Sequence, residues 1–295
     1  AIAYIYDNGA DDEWRFIRAS DSNGSSWQTP ITLATSSVDI NFLNNSINLR
    51  IVNANPSVFY NDATGRAKIT RATNSDGSAW GAPSNISNLA NHQILDVKVV
   101  NSNPAICARS NTSNAVYYTR AANNTGSAWP VGATQLYKYS SEVILANTGR
   151  GSCNMDLINN KLCIILSELT SNKLYINVAA DNIGTSWGNF KELASPSTAL
   201  PYPKIFSNNG NNYILYNNSN GTPSAKGLIK ILDNIVALFD TNTSFISVFN
   251  HFGDNQIIKN INDDNSLILM NSNQDLSLLR FYEDDFKINW IAHSF

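Results

Sequence analysis

The sequence predicts an all-β fold, a six-bladed β-propeller of four-stranded antiparallel blades, and three observations carry that expectation. One stretch, RASDSNGSSWQTP at 18–30, returns as RATNSDGSAWGAP at 71–83, RAANNTGSAWPVG at 120–132 and VAADNIGTSWGNF at 178–190. The tryptophans in these stretches stand 53, 49 and 58 residues apart. Between them run short alternating apolar segments divided by Gly, Asn, Asp and Pro, the pattern of strands joined by tight turns. A period of about 50 residues with several strands per unit marks a repeat array, in which each unit buries a face on its neighbour.

The second repeat serves as the template. INLRIVNA (47–54), PSVFYN (56–61), AKITRA (67–72) and WGAPSNIS (80–87) read as its first to fourth strands. Alternation places Val58 with Tyr60, and Ile69 with Arg71, on common faces, and DATGR (62–66) is a hairpin loop. The third repeat follows with LDVKVVNS, NPAICARS, NAVYYTRA and WPVGATQL, the fourth with NMDLINN, KLCIILSE, KLYINVAA and WGNFKELA. Residues 1–34 supply a second, third and fourth strand and no first.

Beyond Leu200 the Gly–Trp turn is lost while strand character continues through YPKIFSNNG, NNYILYNNS, GLIKILDNIVALFD, SFISVFNHF, SLILMNS, LSLLRFYEDD and FKINWIAHSF. Trp290 is a candidate substitute for the repeat tryptophan. Blades are expected near 1–37, 38–90, 91–140, 141–195, 196–243 and 244–295, in one domain spanning 1–295. A ring must hide its end edges, because an unpaired strand edge invites aggregation. The missing first strand is expected from the tail WIAHSF (290–295) or from a segment upstream of Ala1.

The recurring turn has a physical account. Asp21, Asn74, Asn123 and Asp181 share one position and can accept hydrogen bonds from backbone N–H groups two residues on. Gly24, Gly77, Gly126 and Gly184 supply the positive φ, and Ser25, Ser78, Ser127 and Thr185 satisfy further backbone groups. Trp27, Trp80, Trp129 and Trp187 are expected to bury a large ring between sheets. A calcium site at DSNG (21–24) or NSDG (74–77) would need more carboxylates than each turn offers, so no metal and no cofactor are expected.

This turn resembles the Asp-box of sialidase-type β-propellers, Ser/Thr-x-Asp-x-Gly-x-x-Trp. The match covers four of the six expected blades, with the acid or amide three residues before the Gly instead of two. Ser22, Ser75, Asn124 and Asn182 stand where the box has its Asp. The resemblance implies a sialidase-superfamily architecture in divergent form, similar to tandem repeats of bacterial and viral surface proteins, with structural corners away from the ligand face. It also makes sialidase the first activity to test. Such enzymes hold a carboxylate with three arginines and use a Tyr–Glu nucleophile and an Asp acid/base. Their first arginine sits in a Phe/Tyr-Arg-Ile/Leu-Pro motif on a first-blade inner strand, and neither the strand nor the motif is present here.

Bulk properties narrow the function classes. With 43% hydrophobic residues the chain can fill a core, and a formal charge of −3 gives nothing to steer it onto nucleic acid. IVALF (235–239) and CIIL (163–166) are strand-sized, so membrane insertion is not expected. The three cysteines make no framework. A tight Asn159-Asn160 turn would set Cys163 opposite Met155 or Asp156, out of register with Cys153, so buried free thiols are expected over a bridge. Asn-x-Ser/Thr triplets at Asn85, Asn111 and Asn242 carry no weight in so Asn-rich a chain.

Arg18, Arg71 and Arg120 recur beside the turn and are expected to pack or pair around the rim. Arg50, Arg109 and Arg150 fall outside that register and can reach the axial face. With Glu142 and Glu168 they are the residues from which a glycosidase could be built. His92, His251 and His293 form neither a metal cluster nor a triad in sequence. Loops expected on one face carry Asp7, Asp11, Asp12, Asp62, Arg66, Glu168 and Lys173, with Tyr137, Tyr139 and Tyr202 from blade connections. Stacking aromatics with fixed polar groups suit carbohydrate. The binding candidates are therefore Arg50, Arg66, Arg109, Tyr137, Tyr139, Arg150 and Glu168, with no catalytic residue assigned. The expected role is a lectin-like or adhesin-like recognition domain on the outside of a cell or virion, binding a glycan or a neighbouring surface protein. A sialidase-type hydrolase and a purely structural module are the alternatives.

Overall fold

The computed structural model describes residues 1–37, 47–110, 113, 115–138, 153–168, 173–194, 203–208, 211–217, 226–231, 256–258, 266–270 and 276–280. The strands among them form six sheets. β1 (Ile2–Asp7), β2 (Asp12–Ile17) and β3 (Ile31–Ser36) make the first, in that order. β4 (Ile47–Val52), β5 (Asn55–Asn61), β6 (Ala67–Arg71) and β7 (Ser84–Asn85) make the second. After a 3₁₀ turn at Ser87–Leu89, β8 (His92–Val100), β9 (Asn103–Ser110), β10 (Ala115–Arg120) and β11 (Thr134–Lys138) make the third.

β12 (Cys153–Ile158), β13 (Lys161–Glu168), β14 (Lys173–Val178) and β15 (Lys191–Ala194) make the fourth. β16 (Lys204–Asn208), β17 (Asn211–Asn217) and β18 (Lys226–Ile231) follow, then β19 (Gln256–Ile258), β20 (Ser266–Met270) and β21 (Leu276–Arg280). Neighbouring strands in each sheet run antiparallel, and the first sheet opens on the strand equivalent to β5, as the repeat pattern predicts. Contacts divide the chain into two compact units, residues 1–163 with 178–190, and residues 164–177 with 191–295. Trp290 and the tail 290–295 lie outside the described residues.

Asparagine explains the first hairpin of each repeat. Asn53-Ala54, Asn101-Ser102 and Asn159-Asn160 all have positive φ, between 44° and 66°. Paired positive φ gives the two-residue turn whose twist matches that of the flanking strands. The recurring arginines brace these turns. Arg71 donates to the Val52 and Asn53 carbonyls at 3.1 and 2.9 Å, and Arg120 to those of Val100 and Asn101, both at 3.0 Å. Arg18 donates instead to the Asp76 carbonyl at 3.0 Å. Their role is therefore to satisfy backbone oxygens, where the sequence suggested packing or ion pairing.

The Gly–Trp corner is built alike four times. Its neck closes with Ser20 N to Ser26 O, Thr73 N to Ala79 O, Ala122 N to Ala128 O and Ala180 N to Ser186 O, at 2.8–2.9 Å. Each glycine has φ between 71° and 75°. The side-chain oxygen of Asp21, Asn74, Asn123 and Asp181 accepts from the N–H four residues on, at 2.9–3.1 Å. The bond from two residues on forms only at Asp21 and Asp181. The hydroxyls of Ser25 and Thr185 donate to Asp21 and Asp181, while Ser78 and Ser127 accept from the Asn74 and Asn123 amides.

Corners also clamp the preceding sheet. The Trp80 ring lies 4.9 Å from that of Phe16 on β2, and Trp187 lies 5.3 Å from Tyr118 on β10. Trp129 packs on the cluster holding Ile69 of β6. Phe16, Ile69 and Tyr118 occupy one repeat position, two residues before Arg18, Arg71 and Arg120. The expectation that the four tryptophans are buried needs correction. Trp80, Trp129 and Trp187 are half-buried, and Trp27 is 44% exposed. The rings of Trp80 and Trp187 meet the preceding sheet at a tilt, 60° and 66° to their partners, which covers part of each ring.

Among the described residues, two clusters of buried side chains lie between successive sheets. Trp14, Phe16, Leu33, Val58 and Tyr60 join the first to the second, with Trp14 and Tyr60 rings 4.9 Å apart. Val52, Phe59, Ile69, Ile86, Leu89, Ile94, Val97 and Ile106 are among those joining the second to the third. The third and fourth sheets carry a covalent link, a Cys107–Cys153 disulfide with Cα atoms 6.6 Å apart. This overturns the expectation of free thiols for that pair. Cys107 and Cys153 belong to different repeats and meet only when sheets stack, whereas Cys163 is free and buried.

Candidate functional site

The first strands β4, β8 and β12 carry polar residues at matched positions: Arg50, Lys98 and Asp156 at one, Asn48, Asp96 and Asn154 at the other. Arg50 crosses to β8. Its Nη2 lies 3.1 Å from Asp96 Oδ1, its Nε donates to the Val97 carbonyl at 2.5 Å, and its Nη1 to that of Leu49 at 2.8 Å. Asp96 is 4% exposed. The β8–β9 register shifts between Ile94 and Asp96, a bulge of the kind that re-aims a side chain.

Asp96 is fully engaged. Oδ1 accepts from Arg50 and from Val97 N at 2.8 Å, and Oδ2 from Asn154 Nδ2 at 2.8 Å and Met155 N at 2.7 Å. A carboxylate accepts about four hydrogen bonds, so these fill its oxygens. A general base needs an oxygen within reach of a substrate proton, and here each is spent on the protein. Lys98 pairs with Asp156 at 2.7 Å. Charge on these strands ties sheet to sheet.

The hairpins β1–β2, β5–β6 and β9–β10 sit at equivalent ends of their sheets, opposite the corners. In the first, Asp7 Oδ1 accepts from Gly9 N at 2.7 Å and Asn8 Oδ1 from Ala10 N and Asp11 N. Glu13 anchors this loop, accepting from Arg15 Nε at 2.9 Å, Thr32 Oγ1 at 2.6 Å and Asn8 Nδ2 at 2.8 Å. Those bonds, Arg15 foremost, hold its carboxyl down at about 2. Arg15 in turn lies 3.9 Å over the exposed Tyr6 ring.

In the second hairpin Asp62 Oδ1 accepts from Thr64 N, Thr64 Oγ1 and Arg66 N at 2.7–3.0 Å. Burial pushes the Asp62 carboxyl up, but these bonds and Lys68 outweigh it and leave it below the usual range. At the third sheet the His92 ring meets Tyr117 edge-on at 4.7 Å, and Tyr117 Oη bonds Gln135 Oε1 at 3.0 Å. Burial pushes the His92 imidazole below its ordinary value.

Of the seven binding candidates, Arg50, Arg66 and Arg109 have side chains among the described residues. Arg50 is held by Asp96. Arg66 is exposed beside the Asp62 turn. Arg109 donates to Gln93 Oε1 at 3.2 Å and shares a cross-strand row with Val116 and Tyr137. Tyr137 and Glu168 lie on β11 and β13 with side chains outside the described residues, as are Tyr139, Glu142, Arg150, Tyr202, His251 and His293. Asp12, expected on a loop, opens β2 and is buried at 4% exposure, because pairing with Asp7 and Ser36 draws it into the sheet. Asp96 was not singled out from sequence. Its signal is the recurrence of a polar residue five before the hairpin's first Asn in all three strands, at Asn48, Asp96 and Asn154. Among the described residues no three His, Cys, Asp or Glu side chains gather as metal ligands, and no helix is long and apolar enough to cross a membrane.

No family model and no curated protein matches the chain. Solved structures do. An α-L-arabinofuranosidase of Clostridium thermocellum superposes with a TM-score of 0.50 at 9% identity, over 84% of this chain and 93% of that one. The fold is a β-propeller. An endo-1,4-β-xylanase of Bacteroides thetaiotaomicron scores 0.49 at 8% identity, over 84% of this chain and 94% of that one. A Hadza microbial sialidase scores 0.49 at 14% identity, over 91% of this chain and 57% of that one. The chain shares its scaffold with the arabinofuranosidase, and at 9% identity the likeness is one of fold alone.

Proposed function

We propose that this chain is a non-catalytic recognition domain that binds a glycan or a neighbouring protein at the outside of a cell or particle. We read its corners as divergent Asp-boxes with a structural role. The observation carrying the proposal is the state of Asp96, whose carboxylate takes four N–H donors from three strands. Arg50, the inner-strand arginine able to meet a ligand carboxylate, is consumed by the same network.

Groups presented outward are of another kind. The β1–β2 and β5–β6 hairpins are locked by their own Asp and Asn side chains, with Asp7, Tyr6 and Arg66 exposed. Loops fixed before contact lose little entropy on binding, which favours recognition of a polar, hydroxyl-rich partner. The experiment is a glycan array probed with wild type, Arg66→Ala and Tyr137→Ala. Binding that both variants weaken at unchanged thermal stability supports the reading. A bound glycan that neither variant affects places recognition elsewhere, and no bound glycan turns the choice to a protein partner or a purely structural module.

The second reading is a glycoside hydrolase of the sialidase type. Its support is the scaffold shared with the arabinofuranosidase, and its candidate residues are Arg50, Arg109 and Arg150 with Glu142 and Glu168.

A further inference from the structure

The junction of the third and fourth sheets is pinned at three consecutive residues. Cys153 is bonded to Cys107 of β9, and Asn154 Nδ2 and Met155 N both donate to Asp96 of β8. Cys107 is 0% and Cys153 3% exposed, and Ile106, Ala108, Val116 and Met155 nearby in the strands are no more than 1% exposed. A reductant has no route to sulfurs so covered in the folded chain.

The third cysteine does not compete. Cys163 lies on β13 at the far end of the hairpin, beside the Asn159-Asn160 turn, with its Sγ 3.7 Å from the Lys161 carbonyl. Burial pushes its thiol up to about 12, so little thiolate is present to attack a disulfide.

We propose that Cys107–Cys153 is a latch, closed while sheets three and four dock and shielded afterwards from reductants and from exchange. Closure removes two protons and two electrons from the two thiols. A disulfide-bearing oxidant of the thiol–disulfide carrier class accepts them and leaves as a dithiol. One cysteine thiolate attacks that oxidant to give a mixed disulfide, and the other displaces the carrier. Such carriers operate in oxidising compartments, so the latch assigns folding of this chain to one.

Thiol titration tests this on chain prepared without reductant. Denaturation should expose one reactive thiol per chain, and peptide mapping should link residue 107 to 153. Prior incubation of the folded chain with a dithiol should leave that count at one, while dithiol added after denaturation should raise it to three. The Cys163→Ser variant should keep the link and show no reactive thiol. Three thiols without reductant, or a link involving Cys163, would overturn the pairing. Three thiols after dithiol treatment of the folded chain would overturn the shielding. Equal melting temperatures for reduced-compartment and exported preparations would show that folding needs no latch.

Discussion

Replacing a corner glycine by alanine should cost very different amounts at different corners, although the backbone is the same at each. Gly24, Gly77 and Gly184 have φ of 71°, 72° and 75°. Any Cβ in this left-handed region costs about 1–2 kcal/mol, of which about 0.4–1 is returned because alanine restricts the unfolded chain. The surroundings differ. At Gly24 the nearest neighbour of an added Cβ is Trp27 Cζ2 at 3.9 Å, an ordinary contact. At Gly77 it meets Phe16 Cε1 and Cζ at 2.8 and 2.9 Å, and at Gly184 it meets Tyr118 Cε1 and Cζ at 2.7 and 2.8 Å.

Tyr118 cannot swing aside without loss, because its Oη donates to the Ile183 carbonyl at 2.7 Å and its ring rests on Trp187. Overpacking of this kind adds about 1–3 kcal/mol. Gly24→Ala should therefore lose about 1 kcal/mol, and Gly77→Ala and Gly184→Ala about 2–4 kcal/mol, with Gly184→Ala the larger. Urea unfolding followed by tryptophan fluorescence, compared at a common slope, measures the ranking. Equal losses at the three corners would refute the idea that they clamp the preceding sheet.

Three further outcomes follow from the same geometry. Cys107→Ser should lose about 4 kcal/mol, the chain-entropy value for the 46-residue separation, read as a lower urea midpoint. Asp96→Ala should lose about 3–5 kcal/mol, since it strands Arg50 and three N–H donors, and Arg50→Ala with Asp96→Ala should cost less than the sum of the two. Glu13, held at about 2 in the fold against 4.5 unperturbed, stabilises above pH 4.5 and loses that contribution as pH falls toward 2. Glu13→Gln should flatten that part of the stability–pH curve measured by thermal melting.

Much of the architecture was legible because the same local chemistry is written repeatedly. Asn at the first hairpin, Gly at the corner and an apolar residue two before the arginine each act within a few residues, so one strand's sequence reports them. The disulfide was not legible. Cys107 and Cys153 have no local relation, and their meeting depends on how two sheets stack. Asp96 was hidden for a related reason, since its four donors come from β4, β8 and β12 and its aim depends on a bulge. Burial of the corner tryptophans was overstated because side-chain size predicts the area available to bury, while position at the sheet edge decides how much is covered. Trp27 shows the difference, with 44% of its surface open.

The measurement that bears most directly on function is turnover of fluorogenic glycosides, a sialoside and an arabinofuranoside, by the purified chain. A scaffold whose inner-strand acid is spent on structure should release no fluorophore above the uncatalysed rate across pH 4 to 8. Hydrolysis that disappears in both Arg50→Ala and Glu168→Ala, with the variants folded as wild type, would contradict it and make the chain an enzyme.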